Sequence, residues 1–325
     1  MHTALTEPAR LGVVIAAYNE SAALPAMHAR LVGVLDGIGL PAQVVYVDDG
    51  SRDDTWQVML GLAAADPRVR LLRLSRNFGK ELALTAGLDH VDADAVVVLD
   101  ADGQDPPELL PEFVARWREG HDVVYGTRAS REGESWLKKA TARAFYRVMN
   151  RVSDTPVPAD TGDFRLMSRR VVLALRGMRE RQRFMKGLFA WVGYPSSSIV
   201  YQREARIAGR SKFNYWRLWN FALEGITGFS TAPLRVATYL GLGTAVLAFA
   251  YGIWIIIKTI AWGESVQGWP SMMAVVLFLG GVQLMALGVI GEYLGRLYLE
   301  AKQRPLYLVQ EWRGGSDRDP PAQPV

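Results

Sequence analysis

The sequence predicts an α/β head built on a mainly parallel sheet, followed by two helices long enough to cross a membrane. Three observations carry this reading. Over the first 130 residues short β-branched apolar runs alternate with helical patterns, as in strands joined by helical crossovers. Two uncharged stretches follow, Val236–Ile257 and Ser265–Gly291. Each exceeds the roughly 20 apolar residues that span a bilayer as a helix. Basic residues crowd the outer flanks of these stretches and are missing from Ala261–Pro270 between them.

In chain order, strands are expected at Leu11–Ala17, Gln43–Val47, Val69–Leu74, Ala95–Leu99 and Asp122–Tyr125, with a later one at Phe164–Met167. Helical patterns fill the gaps, for example Ala22–Leu35 and Pro107–Arg118. Arg203, Arg206, Arg210, Lys212, Arg217 and Arg235 precede the first span, and Arg296, Lys302, Arg304 and Arg313 follow the second. The positive-inside rule then puts both termini, and the head, in the cytoplasm. The expected organisation is a catalytic head over 1–212, an interfacial helix over 213–234, and two transmembrane helices within 235–297 (236–257 and 270–292). A cytoplasmic tail over 298–325 completes it. Lys258, at the end of its span, can snorkel to the interface.

Composition removes several alternatives. The 325 residues are 50% hydrophobic and 22% charged, too charged for a polytopic transporter and too apolar in places for a plain soluble enzyme. There is no cysteine, which excludes disulfides and thiolate metal sites. Met1–Arg10 is polar and mixed in charge, unlike a signal peptide. The net charge of +4 suits a membrane surface or a phosphorylated substrate. Nucleic acid is not expected as a partner, because the bases cluster beside the membrane segments.

Three expected strands end in polar residues: Tyr18-Asn19-Glu20, Asp48-Asp49-Gly50-Ser51 and Asp100-Ala101-Asp102-Gly103-Gln104. Such residues often only cap the next helix. Asp105, followed by two prolines and Glu108, fits that structural role as a capping box. Asp100 and Asp102 point further, since two acids leaving one strand bring two hard oxygen ligands near one point, as Mg²⁺ or Mn²⁺ beside a phosphate requires. A calcium loop fails on spacing, because its sixth position would be Asp105 and its twelfth Pro111. No G-x-G-x-x-G follows the first strand and no Walker A motif is present.

The chain resembles GT-A fold (Rossmann-like) glycosyltransferases of family 2, within them the polyprenol-phosphate glycosyltransferases of bactoprenol glucosyltransferase type. The resemblance rests on Ala16–Glu20, Val47–Ser51, Ser75-Arg76-Asn77-Phe78-Gly79-Lys80, Asp100–Pro107, Asp160–Leu166, Gly209–Lys212 and the two trailing spans. It implies that Ala16, Tyr18, Glu20, Asp49 and Arg76 hold the donor nucleotide, with Asp49 accepting from a base N–H. Asp100, Ala101 and Asp102 then border its diphosphate. Asp100 and Asp102, helped by Gln104, hold Mg²⁺ or Mn²⁺, while Lys212 and Arg210 reach the diphosphate. Asp163 is the carboxylate that the resemblance makes catalytic. A phosphomonoester acceptor with a second pKa near ~6 is already mostly dianionic at neutral pH, so Asp163 could serve as a base or as a positioning group.

Two stretches have the pattern of helices lying on a membrane. In Ser135–Val152 the bases Lys139, Arg143, Arg147 and Arg151 recur every four residues against an apolar side. Phe213–Phe229 carries Tyr215, Trp216 and Trp219 just before the first span, as interfacial segments do. A lipid phosphate is thus the expected acceptor, with Arg128 and Arg143 as its contacts. The resemblance implies that the reaction moves a hexose, from UDP-glucose by preference, to undecaprenyl phosphate with inversion. GDP-mannose, UDP-N-acetylglucosamine and an aminoarabinose nucleotide are alternative donors, and homo-oligomerisation is left open. A processive synthase is disfavoured because Gln182-Arg183-Phe184 does not supply Q-x-x-R-W. A catalytically silent scaffold is disfavoured by the intact Asp100, Asp102, Asp163 and Lys212.

Overall fold

The computed structural model describes residues 9–129, 161–181, 183–202, 230–262 and 268–314. Its head is a twisted sheet between two helical layers. Strands β1 (Leu11–Ala17), β2 (Ala42–Asp48), β3 (Val69–Leu74), β4 (Ala95–Asp100), β5 (Val123–Arg128), β6 (Thr161–Ser168), β7 (Ser196–Tyr201) and β8 (Val309–Arg313) form one sheet in the order β7-β5-β6-β4-β1-β2-β3-β8. The pairs β1–β2, β1–β4, β2–β3 and β5–β7 are parallel, whereas β6 runs against β4 and β5, and β8 against β3. The sheet is mostly parallel, as the β/α alternation predicts.

The central strands are apolar on both faces because both are covered. Helices α1 (Leu24–Ile38), α2 (Thr55–Ala65) and α4 (Leu110–Arg118) pack on Leu11, Val13, Ile15, Tyr46, Val97 and Leu99. On the other face α3 (Lys80–His90), α5 (Arg169–Gly177) and α6 (Met185–Trp191) cover Val14, Val45, Val47, Val96 and Val98. The register sets Ala16 of β1 beside Asp100 of β4, and Ala17 beside Asp48 of β2. All three loops at the carboxyl end of the central sheet therefore start at one level, where ligands bind in open α/β sheets.

Asp105 is structural, but not as a cap. A short 3-10 turn at Pro107–Leu109 precedes α4, and its N-cap residue is Pro106, with no side-chain cap hydrogen bond. The Asp105 carboxylate is buried and accepts from the Tyr201 hydroxyl at 2.6 Å, tying the loop after β4 to the end of β7. Glu108 turns instead to Arg30 of α1, at 2.8 Å.

The last two helices, α7 (Ala232–Trp262) and α8 (Trp269–Ala301), are long and apolar enough to cross a membrane, and their large side chains are exposed. Both outrun the uncharged windows: α7 takes in Arg235 and Lys258, and α8 takes in Glu292, Arg296 and Glu300. Ala232–Leu234, expected at the end of the interfacial element, belong to α7. The hydroxyls of Thr238 and Thr244 donate to carbonyls one turn back, so neither is left unsatisfied. The two helices touch near the head, where the Tyr293 hydroxyl donates to the Ser230 carbonyl at 2.6 Å.

The segment after α8 returns to the sheet. β8 lies on the edge of β3, the Ser75 N–H donates to the Leu308 carbonyl, and the Tyr307 hydroxyl donates to Asp89 at 2.8 Å. The rings of Trp312 and Tyr307 both pack at tilted angles against His90 at the end of α3. The end of α8 and the segment after it are thus tied to the head, with Glu300 of α8 also accepting from the Arg181 N–H at 3.0 Å. Ending the chain at Arg304 removes Tyr307, Val309 and Trp312 and bares the β3 edge. Each large apolar group is worth about 1.5–3 kcal/mol. The truncated protein is expected to melt at least about 5 °C lower in detergent; an unchanged melting curve would refute a stabilising role for β8.

Candidate active site

The first loop leaves β1 at Tyr18 and turns through Asn19, which adopts positive φ (55°). The Asn19 side-chain oxygen accepts from the Arg52 N–H, and its own N–H donates to the Ser51 hydroxyl. The Glu20 N–H donates to the Thr55 hydroxyl. These bonds stitch the first loop to the second, and they leave Tyr18 and Glu20 half-buried at its mouth. In the second loop Asp48 accepts from the Ser51 N–H and pairs with Arg73, so it holds the turn.

Asp49 organises a third loop, residues 75–79 after β3. Its carboxylate accepts from the N–H groups of Phe78 (2.7 Å) and Gly79 (2.9 Å) and from the Asn77 amide (3.0 Å). A nucleobase N–H would share this carboxylate with the loop. Burial pushes the Asp49 pKa up to about 6, opposed by the Phe78 and Gly79 N–H groups. Because the folded pKa lies above the ordinary value, the ionised acceptor form is lost as pH falls through about 6. Donor affinity is therefore expected to drop by up to about tenfold per pH unit below that point. Isothermal titration with UDP at pH 5 to 8 measures it, and a flat profile would remove Asp49 from base recognition. Arg76 lies exposed, its guanidinium 4.1 Å from the centre of the Phe78 ring.

β4 delivers Asp100 at its last position, with Ala101 and Asp102 buried just beyond it. Asp102 accepts from the Gln104 N–H at 3.1 Å. Gly103 sits at φ 71°, which turns the chain back so that Gln104 can make this bond.

Asp163 is delivered from the opposite side by β6, antiparallel to β4. It is buried, and the backbone around it is clamped by Arg165, whose guanidinium donates to the Gly162 carbonyl (2.7 Å) and the Asp163 carbonyl (3.3 Å). Arg165 is itself buried and lies 3.7 Å from the centre of the Phe189 ring, and burial brings its pKa down to about 10.

Lys80, the first residue of α3, joins the two acids. Its Nζ lies 2.6 Å from Asp100 Oδ1 and 2.6 Å from Asp163 Oδ2. Crowding by protein works against that charge, yet the two carboxylates outweigh it, so the Lys80 pKa stands well above its ordinary value. Burial would raise the Asp163 pKa, but Lys80, Lys186 and Arg165 together hold it well below the usual carboxylate range. Lys186 of α6 has its own pKa lowered, by burial first, with Lys80 and Arg128 acting the same way. Glu81, which accepts from the Met185 N–H, is pushed up to about 7 by burial and then by Asp163. Arg128 ends β5 close to Gly162, whose missing Cβ would stand 3.5 Å from Arg128 Nη2. Among the described residues Asp163 Oδ1 and Arg128 Nε are buried without a hydrogen-bond partner.

Comparison with known proteins gives the family of the chain. The model of "Glycosyl transferase family 2" matches residues 12–175, which include all three loops, Asp100, Asp102 and Asp163. The chain belongs to glycosyl transferase family 2. Residues 232–297 match a second family model, the GtrB C-terminal hairpin, and correspond to α7 and most of α8. A Synechocystis protein named as an uncharacterized glycosyltransferase is 51% identical over 94% of this chain and 96% of its own length. The bactoprenol glucosyl transferase of Shigella phage SfX is 47% identical over 93% of this chain and 99% of its own. The chain also superposes loosely on glucosyl-3-phosphoglycerate synthase from Mycobacterium tuberculosis, with TM-score 0.46 and 18% identity over 67% of this chain and 78% of that one.

In this family 2 head the structure brings Ala16, Tyr18, Glu20, Asp49, Arg76, Asp100, Ala101, Asp102 and Gln104 to the carboxyl end of the central strands, with Asp163 and Arg128 facing them from β6 and β5. Arg143, Arg210 and Lys212 lie outside the described residues, as do the stretches 135–152 and 213–229. Lys80, Glu81, Arg165 and Lys186 complete the charge network and were not among the expected site residues. Lys80 and Arg165 stood in the sequence within the Ser75–Lys80 and Asp160–Leu166 motifs; nothing in spacing signals Lys186. Asp100 and Asp102 offer hard oxygen donors of the kind that Mg²⁺ or Mn²⁺ takes. Among the described residues no third His, Cys, Asp or Glu joins them, so an ion held there needs further oxygens, which a diphosphate can supply.

Proposed function

We propose that the protein transfers a hexose from a nucleotide sugar, UDP-glucose by preference, to a polyprenyl phosphate such as undecaprenyl phosphate. The observation that carries this reading is the meeting of Asp100 and Asp163 at Lys80, in a head tied through the end of α8 and β8 to an apolar hairpin. The name of the SfX relative supports the lipid acceptor and the glucosyl donor. Both termini and the head are assigned to the cytoplasm on the charge asymmetry of the flanks.

The donor's C1–O bond breaks towards an anionic diphosphate, so stabilising that charge is the main task of the site. Asp100 and Asp102, helped by Gln104, would hold Mg²⁺ or Mn²⁺, which would neutralise diphosphate charge, and Lys212 and Arg210 are proposed as further diphosphate ligands. The acceptor phosphate oxygen attacks C1 from the opposite face, giving inversion. Arg128, with a buried Nε still to be satisfied, can bind that phosphate, and Arg143 is the second contact. Lys80, Lys186 and Arg165 favour the ionised form of Asp163 and so weaken it as a base, and a dianionic phosphate needs none. Its role is to hold Lys80 and the acceptor side of the site in place.

The test incubates membranes containing the protein with undecaprenyl phosphate and a panel of labelled sugar nucleotides, with and without a chelator. An acid-labile, lipid-linked hexose that forms from UDP-glucose and disappears with chelator is expected. Its appearance only from GDP-mannose, UDP-N-acetylglucosamine or the aminoarabinose donor would replace the sugar. No lipid product from any donor would overturn the enzymatic reading in favour of a silent membrane scaffold.

A further inference from the structure

Asp100 faces two demands. As a ligand it should offer its carboxylate to a divalent ion, yet Lys80 Nζ already lies 2.6 Å from its Oδ1. The same ammonium lies 2.6 Å from Asp163 Oδ2, so Lys80 sits where two carboxylates converge, the setting that would otherwise attract a metal. A divalent ion on Asp100 and an ammonium on the same carboxylate repel strongly at such range. The partners of Lys80 differ in exposure, the Asp100 side chain being 18% exposed and that of Asp163 9%. Asp163 is buried and its backbone is clamped by Arg165, whereas the Lys80 side chain is 44% exposed and flexible.

We propose that Lys80 is a placeholder cation: it links Asp100 to Asp163 in the donor-free protein, and arrival of a divalent ion with the donor displaces it from Asp100 while Asp163 retains it. Its ammonium then stands beside the incoming diphosphate. Lys80 follows Gly79, whose N–H donates to Asp49, so the nucleoside side and the metal side of the site meet within two adjacent residues. Lys80 is a positioning residue in this scheme, acting through Asp100 and Asp163. The inference rests on the proposed metal-binding role of Asp100 and deepens it.

One consequence separates this role from a structural one. Removing the ammonium should make the donor-free protein a better metal binder, since two carboxylates then face each other without a cation. The test measures binding of Mn²⁺ alone to the detergent-purified full-length protein, following free Mn²⁺ by electron paramagnetic resonance. Lys80→Met is expected to bind Mn²⁺ at least about tenfold more tightly than the parent, the scale on which a neighbouring charge shifts an ionic equilibrium. Lys80→Arg should stay near the parent value. Lys80→Gln serves in place of Lys80→Met if the latter does not fold, with the same expected gain. Affinity that is unchanged or weaker in a folded Met or Gln variant overturns the proposal. The labelled-sugar assay on the parent protein is read separately. Product formation without the gain in Mn²⁺ affinity defeats only the placeholder role, and the gain without product upholds it while the proposed reaction falls.

Discussion

Asp163→Asn is expected to lower turnover by roughly 10²–10³-fold while leaving affinity for UDP, measured without divalent ion, within about threefold. The side chain keeps its shape but loses the charge that holds Lys80 from the acceptor side. Lys80 is then left with Asp100 alone, and the buried guanidinium of Arg165 loses a neighbouring anion. Donor contacts at Asp49, Tyr18 and Glu20 lie on other loops and are not disturbed. The measurement is single-turnover transfer together with titration of UDP. Equal loss of rate and donor affinity would contradict the assignment and make Asp163 a donor ligand. The variant should not recover at high pH, because a dianionic phosphate acceptor has no proton for a base to remove.

Gly50→Val is expected to damage the donor site from within the backbone. Gly50 has φ 66°, and an added Cβ would stand 2.4 Å from the Arg76 carbonyl carbon and 2.6 Å from the Asn77 nitrogen. No side-chain rotation relieves a clash with backbone, and a β-branched residue adds strain of its own at positive φ. The second and third loops must move apart, which pulls Asp49 away from the Phe78 and Gly79 N–H groups. A loss of about 3 kcal/mol or more in stability, or at least tenfold weaker UDP binding, is expected. Thermal melts and UDP titration of the purified variant check this together. A variant with parental melting and parental affinity would show that the close approach of the two loops is dispensable.

The inner half of the sheet was legible because its strands are apolar on both faces and end in polar residues. β1 and β3 have the expected bounds, and β4 runs one residue further, to Asp100. The edges were not legible. β7 begins Ser196-Ser197-Ser198, and β8 reads Val309-Gln310-Glu311-Trp312-Arg313, each polar because an edge strand is only half covered. Nothing local marks β8 as more than tail, since its partner β3 is more than 200 residues away. Asp105 had the spacing of a cap, and its carboxylate instead receives a hydroxyl from β7 that no spacing announces.

The candidate site divides the same way. Asp49, Asp100 and Asp102 stand at strand ends, where sequence pattern alone locates a ligand. The link between Asp100 and Asp163 is a tertiary contact through Lys80, created by β6 running back beside β4. Lys186 and Arg165 gain their influence on Asp163 only through burial, which a polar residue within an amphipathic pattern does not reveal.

The central claim is that a donor side marked by Asp100 and an acceptor side marked by Asp163 serve one transfer onto a lipid phosphate. Its most direct measurement supplies the purified full-length protein with labelled UDP-glucose and undecaprenyl phosphate in detergent and follows label entering the lipid phase. The account predicts a lipid-linked hexose that requires a divalent ion, is lost in Asp100→Asn, and is cut roughly 10²–10³-fold in Asp163→Asn. Label that enters the lipid phase equally well in the parent and in both variants would contradict it.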